Sequence, residues 1–153
     1  MARRTDHRPR AKTAAREAYL DTSAFIAFLD RSDSYHLPFK RLFAEPPKLV
    51  TSSLVIAEGH GWFLRRYDRH RAAEFLAFLE TLPGLHIQAF DGSELLKVRK
   101  VLVKFKDHIL TLADAHGLAI MQDRRNGSCW TTDRHLGLTG VALAIAGLSL
   151  SIS

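Results

Sequence analysis

Residues 18–29 read Ala-Tyr-Leu-Asp-Thr-Ser-Ala-Phe-Ile-Ala-Phe-Leu, and this dozen decides the fold class. Ala18 to Asp21 is a short apolar run ending in an acid. Thr22 and Ser23 follow it, then the apolar run Ala24 to Leu29. A short run of this kind, closed by cap-forming residues and followed by continuous apolar sequence, predicts a buried strand feeding directly into a buried helix.

Working outward, the pattern repeats. Tyr35 to Ala44 predicts a second helix, stopped by Glu45, Pro46 and Pro47, because proline cannot continue the hydrogen-bond ladder. Leu49 to Thr51 is the second strand. Ser52 and Ser53 are N-cap candidates for a helix from Leu54 to about Arg69, and Arg71 to Leu82 continues as helix until Pro83 and Gly84. Leu85 to Phe90 predicts strand three and Gly92 to Phe105 an amphipathic helix. Thr111 caps a helix running to about Arg125, where Asn126 and Gly127 break the chain. Ser128 to Thr132 is strand four, ending in Asp133, and a fifth strand falls within residues 141–152. Short apolar strands alternating with helices imply an α/β fold, three layers deep, with a central, mostly parallel five-stranded sheet flanked by helices.

Composition fits one soluble domain. The chain has 153 residues, 46% hydrophobic and 25% charged, enough to bury a core. Its net charge of +6 is uneven. Residues 1–17 hold six cations (Arg3, Arg4, Arg8, Arg10, Lys12, Arg16) against Asp6 and Glu17, a net +4. We therefore divide the chain into a basic N-terminal arm, 1–17, expected to be flexible because it has little to bury, and a folded domain, 18–153. The arm is either a solubilising tail or a nucleic-acid contact. The lone Cys129 cannot form an internal disulfide or a cysteine-rich zinc site. No run reaches the roughly 18 apolar residues of a membrane span, and the basic N-terminus lacks the apolar stretch of a secretory signal. The expected location is the cytoplasm, with no membrane partner.

In open parallel sheets, sites form at the carboxyl ends of the strands. Asp21 and Asp133 stand there, although each is also a natural helix cap. Glu58 has Leu54, Val55 and Trp62 one turn away, a pattern that turns it inward; buried, it needs a cation or an ion pair. Asp114 shares a face with Leu118 and Met121. It also lies three residues after Thr111, the spacing of a capping box. Carboxylates that converge repel one another and need a cation to coexist ionised. An all-oxygen ligand set suits Mg²⁺ or Mn²⁺ rather than zinc, and the eight histidines show no His-Glu-x-x-His pattern.

The run Tyr19 to Arg31, Glu58 within Ser-Ser-Leu-Val-Ile-Ala-Glu, the Asp-x-x-x-Thr-Leu-x-Asp pattern from Asp107 to Asp114, and Thr131-Thr132-Asp133-Arg134-His135-Leu136 together resemble the PIN domains of VapC-type toxins. The resemblance spans residues 18 to about 140. It implies a five-stranded parallel sheet, a divalent-metal site and hydrolysis of RNA to 5′-phosphate and 3′-hydroxyl ends. The family's metal-site acids map onto Asp21, Glu58, Asp114 and Asp133. Its accessory hydroxyls map onto Ser23 or Thr22 and onto Thr131, and Asp107 falls at a position of secondary weight. The resemblance also implies a homodimer neutralised by a small antitoxin protein. The residues leave two other readings open. A haloacid-dehalogenase-like phosphotransferase needs a second Asp two residues after the first, where Ser23 stands. A catalytically inactive PIN-like binding or regulatory module would need no acid cluster.

Overall fold

A computed structural model of the protein describes residues 17–147. The expected arm, apart from Glu17, lies outside the described residues. The chain runs β1 (Ala18–Leu20), α1 (Thr22–Leu29), α2 (His36–Ala44), β2 (Leu49–Ser52), α3 (Ser53–Arg66), α4 (Arg69–Thr81), β3 (His86–Gln88), α5 (Gly92–Lys104), α6 (Leu112–Arg124), β4 (Ser128–Trp130) and β5 (Ala142–Leu143). Single 3₁₀ turns occupy Arg134–Gly137 and Ala144–Gly147. The strands form one sheet in the order β3-β2-β1-β4-β5, and every pairing is parallel.

The first strand lies at the centre of this sheet, which is why its three residues are wholly buried. Successive side chains point to opposite faces. Ala18 and Leu20 join the layer formed with Phe25 of α1, Phe39 and Phe43 of α2, Val55 and Phe63 of α3, and Phe75 and Leu79 of α4. Tyr19, with Val50 and Cys129 from the neighbouring strands, faces Val98 and Val101 of α5 and Leu118 and Met121 of α6. Each large apolar side chain taken from water contributes about 1.5–3 kcal/mol, so the two layers together supply most of the driving force.

Two close approaches set how the helices lie. A Cβ on Gly59 would stand 2.6 Å from the Phe75 ring, so α3 and α4 pack backbone against aromatic there. A Cβ on Gly117 would meet the Tyr19 hydroxyl at 2.7 Å, so α6 presses onto the central strand.

The sequence boundaries differ from the structure by a few residues. Strand three is shorter than Leu85 to Phe90, and its residues are exposed or half-buried, because β3 is the sheet edge. The fifth strand is the two residues Ala142–Leu143. At the end of α6 the left-handed residue is Arg125, with φ of 51°, ahead of Asn126 and Gly127. Glu17, placed with the arm in the sequence reading, is held from the other end of the chain. Arg124 grips both its carboxylate oxygens at 2.7 and 2.6 Å, Asn126 Nδ2 reaches it at 2.8 Å, and its carbonyl accepts from the Gly127 amide.

Candidate metal centre

Asp21 ends β1 and caps α1. Its extended backbone lets the side chain turn back to accept from the Ser23 amide. Two hydroxyls converge on the same oxygen, Oδ2: Ser23 Oγ at 2.8 Å and Thr131 Oγ1 at 2.9 Å. Each hydroxyl in turn accepts a backbone amide at 2.9 Å, Ser23 from Thr132 and Thr131 from Asp133. Because an ionised carboxylate can only accept, both hydroxyls donate to Asp21. Ser23 and Thr131, the accessory hydroxyls implied by the resemblance, thus hold the carboxylate. Asp21 is 7% exposed. Burial pushes its carboxyl above the usual value, the hydrogen bonds from Ser23, Thr131 and the Thr22 amide oppose this, and the charge of Asp114 adds to the rise.

The inward orientation expected of Glu58 is corrected by the structure. The buried line of α3 is Val55, Gly59 and Phe63, fixed by the contact with α4, and Glu58 lies beside it, exposed. Thr22 Oγ1 donates to Glu58 Oε2 at 3.1 Å, which ties it to the start of α1. Its carboxyl is also raised, first by desolvation and further by the charges of Asp21 and Asp114, against the Thr22 hydrogen bond.

Asp114, half-buried, closes the capping box of α6. Its amide donates to Thr111 Oγ1 at 3.1 Å and its Oδ2 accepts from the Thr111 amide at 2.9 Å. The capping role anticipated from spacing is therefore real, and it occupies one carboxylate oxygen. Asp133 caps the 3₁₀ turn after β4, accepting from the His135 amide at 2.9 Å, with His135 Nδ1 3.1 Å away. Asp107 is exposed, with no contact that ties it to the other acids.

Asp21, Glu58 and Asp114 thus feel one another's charge, while Asp133 is joined to Asp21 through Thr131. The all-oxygen donors and the mutual repulsion suit a hard divalent ion. Among the described residues, no three His, Cys, Asp or Glu side chains stand close enough together to hold one ion in common as they lie. Cys129 is wholly buried and its thiol is pushed well up, so it is not a reactive or ligating group at neutral pH.

Ser52, a helix-cap candidate in the sequence, also joins a buried polar chain with His116 and Glu94, which the sequence reading did not mark as site residues. Ser52 Oγ lies 2.6 Å from His116 Nδ1, and His116 Nε2 lies 3.2 Å from Glu94 Oε2. Desolvation lowers the basicity of His116, against the pull of Glu94. A signal existed for the histidine, since it is embedded among Ala113, Ala115, Leu118 and Ile120 on a helix apolar nearly all round. Glu94 carried none, because an acid three residues after Asp91 reads as part of a helix start.

Residues 18–139 match the family model of the PIN domain. The chain belongs to the PIN domain family. The fold of this PIN domain is shared with solved structures. VapC20 of Mycobacterium tuberculosis, a toxin that cleaves the sarcin-ricin loop, is 23% identical, with 82% of this chain and 96% of that one covered and a TM-score of 0.73. VapBC2 of Rickettsia felis, bound to a DNA fragment of its promoter, is 15% identical over 83% and 96% of the two chains, with a TM-score of 0.58. A toxin–antitoxin complex from Klebsiella pneumoniae is 21% identical over 83% and 97%, with a TM-score of 0.57. Comparison with curated protein sequences finds no significant match. No helix among the described residues is long and apolar enough to cross a membrane.

Proposed function

We propose that this PIN domain is a divalent-metal-dependent endoribonuclease and the toxin of a toxin–antitoxin pair. The observation that carries the reading is Asp21: a buried carboxylate at the end of the central strand, oriented by Ser23 and Thr131 and raised in pKa by burial and by Asp114. Such a group is costly unless a cation or a proton neutralises it.

Asp21 and Asp133 would hold the ion, Mg²⁺ or Mn²⁺, with Glu58 and Asp114 orienting water around it or sharing a second ion. A bound divalent ion supplies a more acidic water and offsets charge on the non-bridging phosphate oxygens. The chain's own part is orientation. Ser23 and Thr131 present Asp21 through two donated hydrogen bonds, which favour its charged form. Thr22 does the same for Glu58, and the Thr111 cap fixes Asp114 on its helix. The substrate would be RNA, cut to leave 5′-phosphate and 3′-hydroxyl ends. Toxin–antitoxin complexes among the structural neighbours support a small antitoxin protein as partner. A homodimer is proposed on the family resemblance, and a cytoplasmic location as the sequence reading expects.

The separation of the acids favours one second reading, an inactive PIN-like RNA-binding module. Incubating the purified chain with a structured RNA in Mg²⁺, in Mn²⁺ and in EDTA decides between them. Cleavage that requires the ion supports the nuclease. Binding without cleavage in any of the three supports the module.

A further inference from the structure

The Ser52, His116 and Glu94 side chains form a buried polar chain that joins three elements. Ser52 and His116 have no exposed surface and Glu94 has 7%. Ser52 caps α3, its Oγ accepting from the Leu54 amide at 3.0 Å, so its one proton is free for His116 Nδ1. That leaves Nε2–H to donate to Glu94, the tautomer of neutral imidazole that satisfies all three groups. Glu94 Oε1 faces Lys97 Nζ at 3.5 Å, and Lys97 reaches Asp123 of α6 at 2.7 Å. The Phe90 ring packs edge-on against the imidazole, and the Phe90 amide donates to Ser53 Oγ at 2.9 Å.

The elements joined are those that carry two of the four acids. Glu58 stands on α3, six residues after the Ser52 cap. Asp114 stands on α6, two residues before His116 and therefore about 200° round the helix from it. The Thr111 cap sets Asp114 relative to its own helix but not relative to the sheet. A 20° roll of α6 would move a side chain about 6 Å from the axis by about 2 Å. Metal ligands tolerate only about 0.5 Å. An imidazole anchored on the far side of the helix resists that roll, and the same imidazole grips the first residue before α3.

We propose that Ser52, His116 and Glu94 are positioning residues that set the helices of Glu58 and Asp114 relative to each other for metal binding; this rests on the nuclease reading above. The chain touches neither RNA nor metal. Its effect is on where two carboxylates stand.

The test measures Mn²⁺ affinity of the full chain by titration calorimetry, together with single-turnover cleavage of a short RNA. Ser52→Ala and Glu94→Ala break the chain, whereas Ser52→Thr and Glu94→Gln keep its hydrogen bonds. Asp68→Ala, which removes the cap of α4 through its bond to the Arg71 amide, controls for the loss of a helix cap elsewhere. The breaking variants should weaken Mn²⁺ binding about tenfold and slow cleavage with little change in KM for RNA, and the conservative variants should restore both to within about twofold. If Ser52→Ala does not fold, Glu94→Ala decides. Folded breaking variants that bind Mn²⁺ like the wild type overturn the proposal, as does equal weakening by Asp68→Ala. Wild-type protein that binds no Mn²⁺ and cuts no RNA removes the nuclease reading and this proposal together; wild-type binding with unaffected variants removes only the proposal.

Discussion

Thr131 Oγ1, at the end of β4, donates to Asp21 Oδ2, at the end of β1, across 2.9 Å, and accepts the Asp133 amide at the same distance. One hydroxyl therefore couples two acids on neighbouring strands. Thr131→Val keeps the shape and removes both bonds. It should lower RNA cleavage about 10- to 100-fold, the usual loss when a partner orienting a metal ligand is removed, while Thr131→Ser should retain most of it. Single-turnover rates of the two variants check this. Equal rates would show that the hydroxyl serves folding alone.

Asp21→Asn and Asp133→Asn should each abolish cleavage with the fold intact, because the amide keeps the shape and loses the charge. In EDTA, Asp21→Asn should melt no lower than wild type. The folded carboxyl sits above its ordinary value, so the wild type loses stability as pH rises from the ordinary aspartate range through the raised value. The gain from asparagine is therefore present at neutral pH and disappears in acid. Melting curves across pH check the sign; a lower melting temperature at pH 7 would mark Asp21 as a structural cap.

Mg²⁺ or Mn²⁺ at a hundredfold excess over its dissociation constant should stabilise the wild type by about 2.7 kcal/mol. At this chain length that is a rise of roughly 5–10 °C in Tm. Asp21→Asn should show little of it. Calorimetry at millimolar ion provides the measurement, and an unmoved wild type would favour the inactive module.

Glu17 and Arg124 close the chain between the first strand and the end of α6. The Arg124 hydrogen bonds hold the Glu17 carboxyl below its usual value, so their contribution is fully present above the ordinary glutamate range and is lost as pH falls through the lowered value. Glu17→Gln should cost about 1 kcal/mol at pH 7, the pair being partly exposed, and nothing at strongly acid pH. Urea titrations at pH 7 and pH 3 test this. A cost that stays the same at both pH values would rule out the ion pair as its source.

Arg125 adopts the left-handed conformation at the end of α6, which costs a side-chain-bearing residue about 1–2 kcal/mol. Arg125→Gly should relieve most of this and raise Tm by roughly 2–4 °C. Thermal melts of the two proteins suffice. A fall in Tm would show that the exposed Arg125 side chain makes a contact of greater worth.

The order of elements, the parallel sheet and the strand-end acids Asp21 and Asp133 were legible in the sequence because they are local. A short apolar run, a cap residue and a following apolar helix lie within a dozen positions, and period-2 and 3.6-residue patterns need no partner to be seen. The capping box at Thr111 and Asp114 was legible for the same reason. What only tertiary structure decided involves residues far apart in the chain. The contact of Gly59 with Phe75 rotates α3 so that Glu58 comes to the surface. Thr131 and Ser23 meet on Asp21 across 108 residues. Ser52 finds His116 across 64 residues, and Glu94 finds it across 22. A sequence states which side chains can donate, accept or carry charge, but a hydrogen bond acts over about 3 Å, and only the packing of helices on the sheet brings such groups within that reach.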